Sequence, residues 1–211
     1  MGVQESLDLT SVFFFSLTGA LVASRKQLDI VGFMFVSALT SVGGGTLRDL
    51  FMGRTPVFWM REPTFIGVAT FAAVLVFFSA HLLESRYKAM VWLDAIALSI
   101  AVPAGVNIAM LEGFGWPVAL MTGVATGCFG GLMRDVVCNE VPLALRQGEA
   151  FVTCALIGAA TGIFVHWMGA SMQVTLLTTG GVTFATRAGA LCFGWRIPVY
   201  KSRPPRVNGG K

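Results

Sequence analysis

Apolar residues arrive in this chain as long blocks separated by short polar punctuation, with no strand-like alternation. Seven blocks stand near residues 8 to 24, 30 to 50, 64 to 83, 91 to 111, 116 to 137, 149 to 168 and 173 to 194. Each matches or approaches the ~20 helical residues that cross a hydrocarbon core of ~30 Å. The pattern predicts an all-α membrane protein with seven transmembrane helices.

Glycines interrupt the second and fifth blocks. Gly43, Gly44 and Gly45 are followed by Thr46, Leu47, Arg48 and Asp49; Gly130 and Gly131 are followed by Leu132, Met133, Arg134 and Asp135. Positions 48 and 134, and 49 and 135, are each 86 apart, and the same offset pairs Leu7 with Leu93, Asp8 with Asp94, Gly19 with Gly105, Thr40 with Thr126 and Pro56 with Pro142. The chain is an internal duplication: a first three-helix repeat over 1–86, a second over 87–172, a seventh helix over 173–195 and a basic tail over 196–211. Three crossings per copy put the second copy into the membrane from the opposite side, so the repeats are expected to be inverted.

Glycine costs a helix roughly 1 kcal/mol per residue relative to alanine. Helices two and five are therefore expected to be broken at their glycines, with freed carbonyls lining water. Matched glycine-interrupted segments in two halves point to a transport site. On helix two, Ser37, Ser41, Gly45 and Arg48 share one face; on helix five the equivalents are Gly123, Gly127, Gly131 and Arg134. Thr40, Thr122 and Thr126 add hydroxyls nearby.

Buried charges demand partners, since each costs at least ~2.5 to 3.5 kcal/mol at a helix centre. Neighbours on a helix do not face one another, so two-fold symmetry suggests crossed pairs, Arg48 with Asp135 and Arg134 with Asp49. If the pairs lie at opposite faces, each instead caps its own vestibule. Asp8 and Asp94 suit helix N-termini through the macrodipole, and Asp94 is also a candidate for contact with ions or the arginines. Arg187, after a run of threonines in helix seven, is a candidate pore support or a snorkelling residue.

Composition agrees with the membrane reading: 55% of residues are hydrophobic and 12% charged, against about a quarter charged in soluble domains. Lys and Arg set the orientation. Arg25, Lys26, Arg86, Lys88, Arg134, Arg146 and the basic tail fall on one side, and only Arg48, Arg54 and Arg61 on the other. The N-terminus is expected outside and the C-terminus in the cytoplasm, with the tail solvated or touching anionic lipid. Glu5 and Asp8 precede the first apolar run, unlike the basic start of a signal peptide. An outside N-terminus also sets aside the myristoylation pattern at Gly2 and Ser6. Cys128, Cys138, Cys154 and Cys192 lack CxxC spacing, and His81 and His166 stand alone, so no metal site is expected. No nucleophile with a base and no phosphate loop is present, which argues against an enzyme.

The duplicated signature, GGGTLRD with FGGLMRD, in two three-span repeats plus a seventh span, resembles the trimeric intracellular cation (TRIC) channel family. It is closer to the prokaryotic branch, also known as a glycine-transporter-type membrane domain. The resemblance implies a homotrimer in the bacterial or archaeal plasma membrane, with a potassium-preferring pore in each subunit lined by kinked helices two and five. It implies a gate region at Gly43 to Gly45, Arg48, Asp49, Gly130, Gly131, Arg134 and Asp135. For a cation channel, Ser37, Thr40, Ser41, Thr122 and Thr126 are the candidate pore hydroxyls. No cofactor beyond permeant potassium ion and bound lipid, and no nucleic-acid partner, is expected. Phe129 stands where the second copy would have its first glycine, which suggests a milder break there. A carrier for glycine or another small zwitterion, its carboxylate held by Arg48 or Arg134, is the alternative.

Overall fold

The computed structural model describes residues 2–83, 85–198 and 200, and they are helical with no strand. The helices are α1 (Val3–Arg25), α2 (Ile30–Phe51), the single-turn α3 (Phe58–Arg61), α4 (Thr64–Ser79), α5 (Arg86–Leu111), α6 (Trp116–Val137), α7 (Phe151–Trp167) and α8 (Met172–Phe193). Five are long and apolar enough to cross a membrane: α1, α2, α4 with its 3-10 extension to Leu82, α5 and α6. Helix α7 is apolar but has 17 residues, and α8 is diluted by threonine and glycine. Most of the expected basic tail, residues 201–211, lies outside the described residues.

Local chemistry sets the ends. The Asp29 side chain accepts the Gly32 N–H at 2.7 Å and caps α2, while Ser85 caps α5 through Lys88. Both α1 and α5 begin five residues before the expected spans, at Val3 and Arg86. Their first turns carry polar residues that hydropathy alone does not count as helix. Asp8 and Asp94 consequently sit inside their helices, a turn or more from the start, and the macrodipole does not account for them.

The duplication extends to the backbone. Helix α1 closes with Leu28 N–H on Ala23 O and α5 with Phe114 N–H on Ala109 O; α2 closes with Arg54 N–H on Asp49 O and α6 with Glu140 N–H on Asp135 O. These are Schellman closures, which place one residue in the left-handed region. The residues are Gln27 and its mate Gly113, and Gly53 and its mate Asn139.

Helices α1, α2, α6 and α5 pack in that order as a closed ring, with α4 against α1 and α2. The second repeat departs from this plan. Helix α7 packs on α6 but touches α5 only slightly, because α8 packs on both α5 and α7. Gly158 and Gly162 of α7 face Thr183 and Thr179 of α8 so closely that a Cβ at either would collide with the threonine hydroxyl. The hydroxyls of Thr179 and Thr183 donate to the carbonyls one turn back, at 2.8 and 2.7 Å. Threonines 175, 179 and 183 therefore form a packing face. Gly162→Ala is expected to lower the thermal midpoint of the detergent-solubilised protein by a few degrees, about 1–3 kcal/mol of overpacking. Adding Thr179→Ala should recover most of that loss.

The glycines do not break α2 or α6, which is a correction to the sequence expectation. Both helices run unbroken through Gly43 to Gly45 and through Gly130 and Gly131. The helix continues through both sites, so Phe129 does not mark a milder break in the second copy. The glycines serve close approach instead. A Cβ on Gly44 would meet the Thr126 carbonyl oxygen, and one on Gly130 would meet the Thr40 carbonyl oxygen. Residue numbers rise along one helix as they fall along the other, so α2 and α6 cross antiparallel, backbone against backbone.

Candidate functional site: two arginine triads beside a glycine crossing

Arg48 and Arg134 each lie about two turns beyond the crossing, in opposite directions. At 1.5 Å per residue, with both about six residues from the crossing point, they stand roughly 18 Å apart along the helices. Crossed pairs are thereby ruled out by depth, and each arginine finds its acids locally. Arg48 Nε donates to Asp49 Oδ1 at 2.9 Å, and its Nη1 and Nη2 donate to the two Asp8 oxygens at 2.7 and 3.3 Å. Arg134 Nε donates to Asp135 Oδ1 at 2.8 Å, and Nη1 and Nη2 to the two Asp94 oxygens at 2.9 Å each. An arginine reaches its own neighbour because the long side chain folds back and presents Nε, which the neighbour rule for short side chains does not cover.

The two triads differ in detail. Arg134 also donates to Thr18 Oγ1 at 2.9 Å, so α1 of the first repeat completes the site of the second; the repeat mate of Thr18 is Ala104. Arg134 and Asp94 are sealed, with side chains 0% and 1% exposed, while Asp8 is 10% exposed. Each helix-borne aspartate also anchors the following loop: Asp49 Oδ2 accepts the Phe58 N–H at 2.8 Å and Asp135 Oδ2 accepts the Leu143 N–H at 3.0 Å. Arg54 and Glu112 join at 2.7 Å, and at the repeat-equivalent place Glu140 joins Arg25 at 3.2 Å and Lys26 at 3.5 Å. The same clip is made twice with its charges exchanged.

Between the crossing and the Arg48 triad lies a polar cavity bounded by Asp8 and Ser11 of α1, Thr40, Ser41, Gly44 and Gly45 of α2, and Thr126 of α6. Its free space is about 10 Å³, the least that holds one water. Phe58 closes it: a Cβ on Gly45 would strike the Phe58 ring, and the ring also underlies the Arg48 guanidinium at 5.4 Å. Hydroxyl protons here are already committed. Thr40 donates to Val36 O at 2.6 Å, Thr126 to Thr122 O at 2.7 Å and Ser41 to Ala38 O at 3.1 Å. A hydroxyl so engaged offers only lone pairs.

Of the expected site residues, Thr40, Ser41, Gly44, Gly45 and Thr126 meet at this cavity. Thr122 is buried beneath Thr126, and Ser37 is buried with its hydroxyl unpartnered. Gly43 packs against Met133 and Gly130, and Gly131 against Arg134. Asp94 is brought to Arg134, whereas Arg187 is taken elsewhere, to Glu149 at 2.9 Å and over the Phe151 ring. Asp8 as an arginine partner, Ser11, Thr18 and Phe58 are the residues that sequence reasoning missed. The equality of the Asp8–Arg48 and Asp94–Arg134 separations, 40 residues each, is the signal that marks the first. Cys138, just past α6, has its thiol pushed up by burial, so it stays a protonated, apolar group.

A family model described as glycine transporter matches the chain twice, over residues 5–81 and 91–167, again at an 86-residue offset. The chain is 33% identical over 199 residues to a UPF0126 membrane protein of Vibrio cholerae, covering 92% of this chain and 81% of that one. It is 30% identical to the UPF0126 inner membrane protein YadS of Escherichia coli, covering 92% and 94%. Among solved structures, the TRIC trimeric intracellular cation channel orthologue from Rhodobacter sphaeroides is similar with a TM-score of 0.88 at 43% identity, over 92% of this chain and 100% of that one. An integral membrane protein with this fold, and with channel- and transporter-type relatives rather than enzymes, belongs to the TRIC family, which the glycine transporter model and the UPF0126 proteins also represent.

Proposed function

We propose that the protein is a potassium-preferring monovalent cation channel with one pore in each subunit of a homotrimer, lined by α2 and α6. The observation that carries this reading is the charge of the triads. Each arginine is held by two aspartates, so each triad has a net charge of −1, and the two flank a crossing lined by hydroxyls that only accept. A cation finds favourable potential and replacement ligands there. An anion finds neither. The 43% identical relative from Rhodobacter sphaeroides is a cation channel orthologue, which supports the same conclusion.

Seven spans arranged as two inverted three-helix repeats plus α8 underlie this pore, with the N-terminus outside and the C-terminus cytoplasmic. A closed state fits this reading: Phe58 covers the cavity, and the α2 and α6 backbones meet closely at the crossing. Opening requires the glycine-faced helices to part or bend there. The glycine-carrier reading has less support, because Arg48 makes three hydrogen bonds and Arg134 four, all within the protein, which leaves neither free for a substrate carboxylate.

Purified protein in a planar bilayer under a potassium chloride gradient tests the proposal. Unitary currents reversing towards the potassium potential are expected, and Phe58→Ala should raise the open probability several-fold. Saturable glycine uptake without unitary currents would overturn the channel reading. An unchanged open probability in Phe58→Ala would remove Phe58 as the cover.

A further inference from the structure

Beyond the pore, a second polar cavity of about 340 Å³ lies at the end of α8, bounded by the turn at Arg146 to Glu149 and by Ala190, Leu191 and Arg196. We propose that it binds a phosphate group, supplied by an anionic membrane lipid.

The wall is built by specific contacts. Gly194 turns the chain with a φ of 65°, Trp195 folds back to cover Gly189, and its ring stacks on Phe193 with centroids 5.8 Å apart. The Ile197 N–H then donates to Gly148 O at 3.3 Å, which holds Arg196 across the mouth with its aliphatic stem 3.8 Å from where a Gly148 Cβ would be. Gly148 itself has a φ of 81°, so the turn that receives this segment favours glycine.

The charges in this cavity do not balance. Its only acid among the described residues, Glu149, is occupied by Arg187 at 2.9 Å. Arg146 donates to the Tyr87 hydroxyl and lies over that ring, and neither Arg146 nor Arg196 has a carboxylate partner among the described residues. Two arginines without a carboxylate partner among the described residues therefore line the cavity. Arg187 lies one turn before Ala190 and Leu191 on the same helical face, fully buried, and its Nε and Nη2 have no acceptor among the described residues. Buried N–H groups without acceptors are costly, and here they accumulate behind the wall residue Glu149. Planar guanidinium groups pair with phosphate oxygens in forks, so a phosphate in this cavity would supply the acceptor that Arg196 lacks among the described residues and would add to the Tyr87 contact of Arg146. The exposed Trp195 and Phe193 beside the mouth are what a membrane interface accommodates, which favours a lipid over free phosphate as the source.

The test uses the full-length protein in detergent micelles, followed by thermal unfolding. The probes are short-chain phosphatidylglycerol, short-chain phosphatidylcholine and inorganic phosphate, each titrated separately. Phosphatidylglycerol should raise the midpoint of the unmodified protein and phosphatidylcholine should not. Arg196→Gln and Arg146→Gln should each weaken the phosphatidylglycerol effect roughly tenfold in concentration. Lys88→Gln, which removes an exposed charge from the start of α5, should leave it unchanged. Arg196 makes no ion pair among the described residues, so its variant serves even if loss of the Arg146–Tyr87 contact unfolds the other. Stabilisation by inorganic phosphate with the same arginine dependence would support the phosphate site with the free ion as occupant. Equal losses in Arg196→Gln and Lys88→Gln, or no stabilisation by any probe, would overturn it. This readout is independent of channel activity.

Discussion

Gly44→Ala and Gly130→Ala are each expected to prevent normal packing of α2 on α6, while Gly43→Ala and Gly131→Ala leave the protein folded. The contrast follows from what a new Cβ meets. At Gly44 and Gly130 it meets a backbone carbonyl of the facing helix, which moves only if the whole helix moves. At Gly43 it meets the Met133 sulfur at 2.9 Å, the far end of a flexible side chain, and at Gly131 it meets the Arg134 side chain at an ordinary 3.6 Å. Helix propensity acts the other way, favouring alanine by roughly 1 kcal/mol at every position. Overpacking costs about 1–3 kcal/mol where side chains can adjust and more where they cannot, so the carbonyl collisions prevail. Thermal unfolding and size-exclusion profiles of the four variants in one detergent provide the measurement. Stabilisation of Gly44→Ala would mean that the crossing is not a close contact.

Much of the architecture was legible because the duplication keeps strict register. The 86-residue offset identifies the repeats from Gly, Arg and Asp alone, and it holds in the left-handed residues at 27 and 113 and at 53 and 139. The membrane class and the lengths of α2 and α6 followed from apolar blocks. The role of the glycines did not. A glycine run reads the same in sequence whether it breaks a helix or admits a neighbouring backbone, and only the facing chain at Thr40 and Thr126 decides.

Pairing of the charges failed for a related reason. Periodicity places Arg48 and Arg134 on a face but says nothing of depth. The antiparallel crossing of α2 and α6 puts the arginines on opposite sides of it; symmetry of contact and symmetry of depth gave different answers, and depth prevails. Phe58 was illegible because a single turn between two spans has no period to detect. The threonines of α8 were ambiguous for a third reason: hydroxyls that satisfy their own helix look in sequence like hydroxyls that line water.

Loss of the Asp94 charge is expected to be the most damaging single change at either triad. Asp94→Asn keeps the shape and one acceptor, so it isolates the charge. Arg134 would remain sealed from solvent with Asp135 and Thr18 as its partners. Breaking a buried pair from one side costs about 3–5 kcal/mol, because the surviving charge is left uncompensated. Asp8→Asn should cost clearly less: Asp8 is the more exposed acid, one of its two bonds to Arg48 is 3.3 Å long, and water can replace part of what is lost. A double-mutant cycle sharpens the comparison. Asp94→Asn with Arg134→Met should cost well under the sum of the single changes, since the second change removes the orphaned charge. Asp49→Asn with Arg134→Met should be additive within about 0.5 kcal/mol, as befits sites roughly 18 Å apart. Unfolding in detergent reads both cycles. Strong coupling between Asp49 and Arg134 would restore the crossed arrangement, and equal costs for Asp8→Asn and Asp94→Asn would show that burial does not separate the triads. The expected asymmetry also bears on gating, because the looser triad is the one beside the cavity and under Phe58, where a pore would have to open.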